Sequence, residues 1–112
     1  MKSVSTLLAT LTLSLATTYA AAETSVLFIG NSFTYAYGSP AKFYRADSVT
    51  DLNNEGIGGV PALFKSFADQ AGLDYDVSLE TRGGSGLDFH LANKRGVIGR
   101  RPYDQVVMHG FS

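Results

Sequence analysis

The segment that most constrains this chain is Ser25 to Gly30 (SVLFIG), a β-branched, apolar run that stops on a glycine. A run that is apolar throughout, and not alternating, suits a parallel strand buried on both faces. The residues after it supply such a sheet. Pro61 to Ala71 (PALFKSFADQA) predicts a helix: Pro61 falls in the first turn, and Leu63, Phe64, Phe67, Ala68 and Ala71 recur at helical spacing before Gly72. Tyr75 to Thr81 (YDVSLET) alternates, with Tyr75, Val77 and Leu79 on one face, as a strand nearer the sheet edge does. Leu87 to Lys94 reads as a short helix with Leu87, Leu91 and His90 turned inward. Asp104 to Met108 (DQVVM) is a third strand. Strand, helix, strand, helix, strand predicts an α/β sheet with right-handed crossovers.

The residues before Ser25 have a different character. Met1 and Lys2 give a positive start, Val4 to Ala16 is apolar with interspersed Ser and Thr, and small residues follow through Ala22. This is the pattern of a secretory signal peptide over residues 1–22, cleaved after Ala20 or Ala22, which predicts an exported protein, periplasmic or extracellular. The apolar run is shorter than the ~20 residues that span a bilayer, so no membrane association is expected after cleavage. Residues 23–112 form the mature part. The chain has no cysteine, so neither disulfides nor thiolate metal sites hold it. Its net charge of −1 gives no electrostatic case for nucleic acid.

In an α/β sheet, ligands bind at the carboxyl ends of the strands. Those ends carry Gly30-Asn31-Ser32, then Arg82-Gly83-Gly84-Ser85-Gly86, then His109-Gly110-Phe111-Ser112. Three strand exits thus bring small or polar residues to one edge. Ser32 follows the first strand directly, where a helical turn aims backbone N–H groups at it. Such donors stabilise an oxyanion, and a base must take the serine proton. The local pattern also fits an ordinary cap, because Ser and Asn are favoured before helices.

VLFIGNSFTY resembles the first block of SGNH (GDSL-like) hydrolases, in the Gly-Asn-Ser-Phe-Thr form of an exported bacterial branch. Gly83 to His90 (GGSGLDFH) resembles that branch's Gly-Gly-x-x-Leu-x-x-His block, and Tyr103 to Met108 (YDQVVM) its Tyr-Asp-x-Val-Val-Leu strand. The resemblance implies a three-layer, flavodoxin-like parallel sheet, here cut short after the third strand. It implies Ser32 as nucleophile in a serine ester hydrolase, an esterase or acetylesterase acting on a small-molecule or carbohydrate ester without a cofactor. It makes the amides of Ser32 and Gly84 the oxyanion donors, with Gly86 as the alternative. A third donor is an Asn in a Gly-x-Asn segment, where this chain has Gly110-Phe111-Ser112, so that donor is Ser112, a residue beyond it, or absent. The family's base lies in an Asp-x-x-His segment that these 112 residues do not contain. The chain therefore reads as the N-terminal part of such an enzyme, lacking its catalytic His/Asp, or as an inactive remnant or binding module that keeps the cleft.

Two histidines remain. His90 is a possible site residue, although its place in the helix favours a side chain packed on the sheet or the turn, and His109 reads as a residue lining the cleft at the top of the third strand. Asn31 and His109 join the oxyanion or substrate residues. Asp51 to Gly56 (DLNNEG) opens like a calcium loop, but Ala62 stands where the closing carboxylate belongs, so a turn-rich loop is expected. Tyr35, Tyr37, Phe43 and Tyr44 form either a wall of the site or the core side of a helix starting near Pro40. Lys94, Arg95, Arg100 and Arg101 are expected at the amino edge of the sheet, away from the cleft. The uncovered third strand predicts marginal stability and association, although the oligomeric state itself is not legible.

Overall fold

Thr24–Gly30 form β1, and its last six residues are buried, as a strand flanked on both sides and covered on both faces must be. The computed structural model describes residues 9–12 and 23–110. Most of residues 1–22, where a signal peptide is expected, together with Phe111 and Ser112, lies outside the described residues. After β1 come β2 (Thr50–Asp51), α1 (Gly59–Gln70), β3 (Tyr75–Thr81), α2 (Leu87–Asn93), α3 (Arg95–Ile98) and β4 (Gln105–Met108). The sheet order is β2-β3-β1-β4, and every pairing is parallel. β1 runs in register with β3 from Thr24↔Tyr75 to Gly30↔Thr81, and with β4 from Val26↔Gln105 to Ile29↔Met108. Setting aside the two-residue β2, the main strands stand in the order second, first, third, compatible with a flavodoxin-like layout.

The two faces of β1 and β3 differ in chemistry. Val26, Phe28, Val77 and Leu79 point to the α1 side and form the core with Ile57, Phe64 and Tyr75. Phe64 of α1 meets Phe28 at 5.5 Å and Tyr75 at 5.0 Å between ring centroids. Tilted and edge-on pairs of this kind contribute about 0.5–1.5 kcal/mol each beyond the area they bury. Ile29 and Glu80 face the other way, toward α2. The α1 start is held from the turn after β1, where the Val60 N–H donates to Thr34 O at 3.0 Å. Its end is a Schellman cap: Leu73 N–H donates to Ala68 O and Gly72 N–H to Asp69 O, with Gly72 at φ 72°.

β4 is tied to β1 at its foot by a reciprocal clasp. The Ser25 N–H and Oγ–H donate to Asp104 Oδ2 at 2.8 and 3.0 Å, and the Asp104 N–H donates back to Ser25 Oγ at 2.9 Å. The Ser25 backbone bond, and then its hydroxyl, hold the Asp104 carboxyl below the usual carboxylate range. Val106, Val107 and Met108 are nonetheless exposed, because no described residue pairs with the outer edge of β4.

Several expectations need correction. β3 is an inner strand, since β2 flanks it, and its polar Ser78, Glu80 and Thr81 are buried. Of the three residues expected to turn inward on α2, only His90 does (3 % exposed); Leu87 and Leu91 are 38 % and 65 % exposed and line an open groove of about 500 Å³ between α2, α3 and β4. The helix expected near Pro40 is one 3-10 turn, Pro40–Phe43, capped where Ala41 N–H donates to Ser39 Oγ. Phe43 and Tyr37 are exposed, whereas Tyr35 packs on the core. The basic run is split. Arg101 pairs with Asp76 near the amino end of β3 at 2.8 Å, as expected, but Lys94 reaches Asn53 Oδ1 at 2.9 Å and Glu80 at 3.6 Å near its carboxyl end.

The Asp51–Gly56 segment is a turn-rich loop, and its acid is spent on the backbone: Asp51 accepts the N–H groups of Asn53, Glu55 and Ile57. Among the described residues no helix is long and apolar enough to cross a membrane.

Candidate functional site

The site begins where β1 ends. A Cβ on Gly30 would lie 1.9 Å from Thr34 Oγ1, so only glycine lets the chain fold back on the strand tip. The expected helical turn is an irregular one. Tyr35 N–H donates to Asn31 O, Ala36 N–H to Phe33 O, and Tyr37 N–H to Ser32 O, three spacings that no regular helix combines. Ala36 takes a left-handed φ of 61° within it. Ser32 is half-buried and lines a hollow of about 210 Å³ with Phe33, Ala36 and Tyr37.

Asn31 is fully buried and braces two strand exits. Its Oδ1 accepts the Phe33 N–H at 3.1 Å, and its Nδ2 donates to Ser85 O at 3.3 Å in the loop after β3. That loop touches the first turn again at Gly83, where a Cβ would meet the Tyr35 hydroxyl at 2.6 Å. Gly84 sits at φ 69°, a conformation natural to glycine. Among the hydrogen bonds of the described residues, neither the Ser32 N–H nor the Gly84 N–H is a donor. Gly86 backs onto the exit of β4, because a Cβ there would lie 3.3 Å from Gly110 O.

His109 extends the β4 ladder by one bond, its N–H donating to Ile29 O at 2.9 Å. Its ring meets Phe33 edge-on at 5.8 Å and lines a hollow of about 270 Å³ with Phe28, Thr34, Val60 and Val107. The three exits therefore converge: Asn31 with Ser85, Phe33 with His109, and Gly86 with Gly110. Ser112 lies outside the described residues.

Among the described residues His90 makes no hydrogen bond to Ser32. Its Nδ1 bonds the Glu80 carboxylate, and its Nε2 lies 3.0 Å from Gly30 O and 3.3 Å from Ser85 Oγ, beneath the turn. Glu80 Oε1 also accepts the Asn53 amide at 2.7 Å. Sequence reading missed Glu80, Asn53, Lys94 and Ser85 as members of this cluster. Polar residues alternating with Val77 and Leu79 look like a solvent face, and only the fold brings Asn53 and His90 to them.

Compared with known protein families, curated proteins and solved structures, the chain finds no match.

Proposed function

We propose that this chain carries the nucleophile and oxyanion side of an exported serine ester hydrolase of the SGNH type. One observation supports this reading above the others: the turn holding Ser32 is braced by Asn31 to the glycine loop after β3, and among the hydrogen bonds of the described residues the amides of Ser32 and Gly84 donate to no acceptor. An uncommitted backbone donor beside a strand-exit serine is what acyl transfer needs. Ser32 Oγ attacks the ester carbonyl as a base removes its proton, and the oxyanion rests against the amides of Ser32 and Gly84. Collapse expels the alcohol, which takes up the proton. Water then attacks the acyl-enzyme, releasing the acid and restoring the serine.

His90 is committed to Glu80 and Gly30. The base is therefore His109 or a group outside these 112 residues. The exposed Phe33 and Tyr37 beside Ser32 suit the apolar part of an acyl or sugar ester. The contrary reading, a binding module that keeps the cleft without hydrolysis, draws on the same cleft and on the absence of a described histidine bonded to Ser32.

The test is labelling of the purified chain by a fluorophosphonate, beside its Ser32→Ala variant. The parent should label and the variant should not. A folded parent that stays unlabelled favours the binding module.

A further inference from the structure

Behind the serine turn lies a buried polar cluster that acyl transfer as written does not use. Glu80 is 0 % exposed and His90 3 %. A carboxylate is acceptor-only, and Glu80 is surrounded by donors: the Asn53 amide and the Lys94 ammonium on Oε1, the His90 ring on Oε2. Nδ1 of His90 therefore carries a proton. Across the ring, Nε2 faces Gly30 O at 3.0 Å, and a carbonyl also only accepts, so Nε2 carries a proton as well. The Ser85 hydroxyl fits the same assignment, since its own proton goes to Arg82 O at 2.7 Å and its oxygen is left to receive Nε2–H at 3.3 Å. Every group in the cluster then has a complementary partner, as buried polar groups require.

Ser85, His90 and Glu80 have the residue types of a triad, but these proton positions exclude that use. A ring protonated on Nε2 cannot take the Ser85 proton, and that proton is already committed to Arg82 O.

We infer that Glu80 and His90 form a buried carboxylate–imidazolium strut that grips the Gly30 carbonyl and the Ser85 hydroxyl, and so fixes the turn of Ser32 against the loop of Gly84. His90 is on this view a positioning residue, and its effect on Ser32 rests on the hydrolase reading above. The Gly30 carbonyl also accepts the Arg82 N–H at 3.1 Å, so both exits are locked to one oxygen. Glu80 and Lys94 are the other charged groups at the strut: the Glu80 carboxylate favours a positive ring, whereas the Lys94 ammonium on the same carboxylate opposes it, so the hydrogen-bond partners of the two ring nitrogens carry the assignment.

The experiment has two readouts on the full chain. In ¹⁵N-histidine-labelled protein at neutral pH, the His90 ring should show two protonated nitrogens. A neutral single tautomer would overturn the strut. Separately, His90→Gln should lower the rate of fluorophosphonate labelling at Ser32 by tenfold or more and move the amide signals of Ser32 and Gly84, while the circular dichroism stays that of the parent. Parent-like labelling and unchanged amide signals in a folded H90Q protein would overturn the positioning role. If H90Q does not fold, the ring signal of the parent still decides. If even the parent fails to label, the hydrolase reading fails while the ring signal judges the strut alone.

Discussion

Ala36 occupies left-handed backbone at φ 61°, where an L side chain with a Cβ is strained by about 1–2 kcal/mol. It lies in the turn that carries Ser32 and lines the same hollow, and strain of this kind persists only where the surroundings hold it. Ala36→Gly should therefore raise stability by roughly 0.5–1 kcal/mol, less than the full strain because glycine also loosens the unfolded chain. A shift of the urea midpoint at constant slope would check it, and a lower midpoint would count against the strain. Nothing in the sequence marks Ala36, because its conformation is imposed by the bonds that close the turn on Asn31, Ser32 and Phe33. The turn itself was legible, since a buried strand ending in Gly30-Asn31-Ser32 has few other ways to leave the sheet. Glu80 was not legible. Its burial depends on Asn53 and His90 from two other segments, and a single-strand pattern of alternating polar residues contains no trace of them.

Among the elements, β4 depends most on one side chain. Asp104 clasps Ser25, and those bonds hold its carboxyl below its usual value. A group whose folded value is depressed stabilises the fold above the unfolded value, 3.8 here, and that contribution disappears as the pH falls through the folded value. Acid unfolding followed below about pH 4 should therefore include β4 release. Asp104→Asn should flatten this part of the pH profile and weaken protection of the His109 amide, which donates to Ile29 O, from hydrogen exchange, and an unchanged profile would dismiss the clasp. β1, β3 and α1 were readable because their apolar patterns are long, and β4 because Val106, Val107 and Met108 run together. The two-residue β2 and four-residue α3 were not, because elements that short have no period and form only where β3 and α2 dock them. The same limit turned Leu87 and Leu91 the wrong way, since α2 orients by the polar His90–Glu80 bond and not by its leucines.

At the scale of the molecule, β4 forms an exposed flank of the sheet among the described residues. Val106 and Val107 are each 47 % exposed, and they sit on opposite faces of an edge strand that no described residue pairs. Unpaired, apolar edges template pairing with other chains, and a lysine on the edge blunts them. The 112-residue protein should associate with rising concentration in light scattering, and Val107→Lys should reduce that association. An equally monomeric parent would show that the edge is inert.

The order of the strands in space has a consequence in time. β1, the innermost strand, comes first from the ribosome, yet its clasp to Asp104 spans 79 positions and its ladder with β3 also waits for a long crossover. Closing such distant pairings makes folding slow and leaves β1 without β3 until Thr81, and without β4 until Met108, has been made. A nascent chain built in this order is a good client for factors that keep polypeptides unfolded and a poor candidate for folding as it is made.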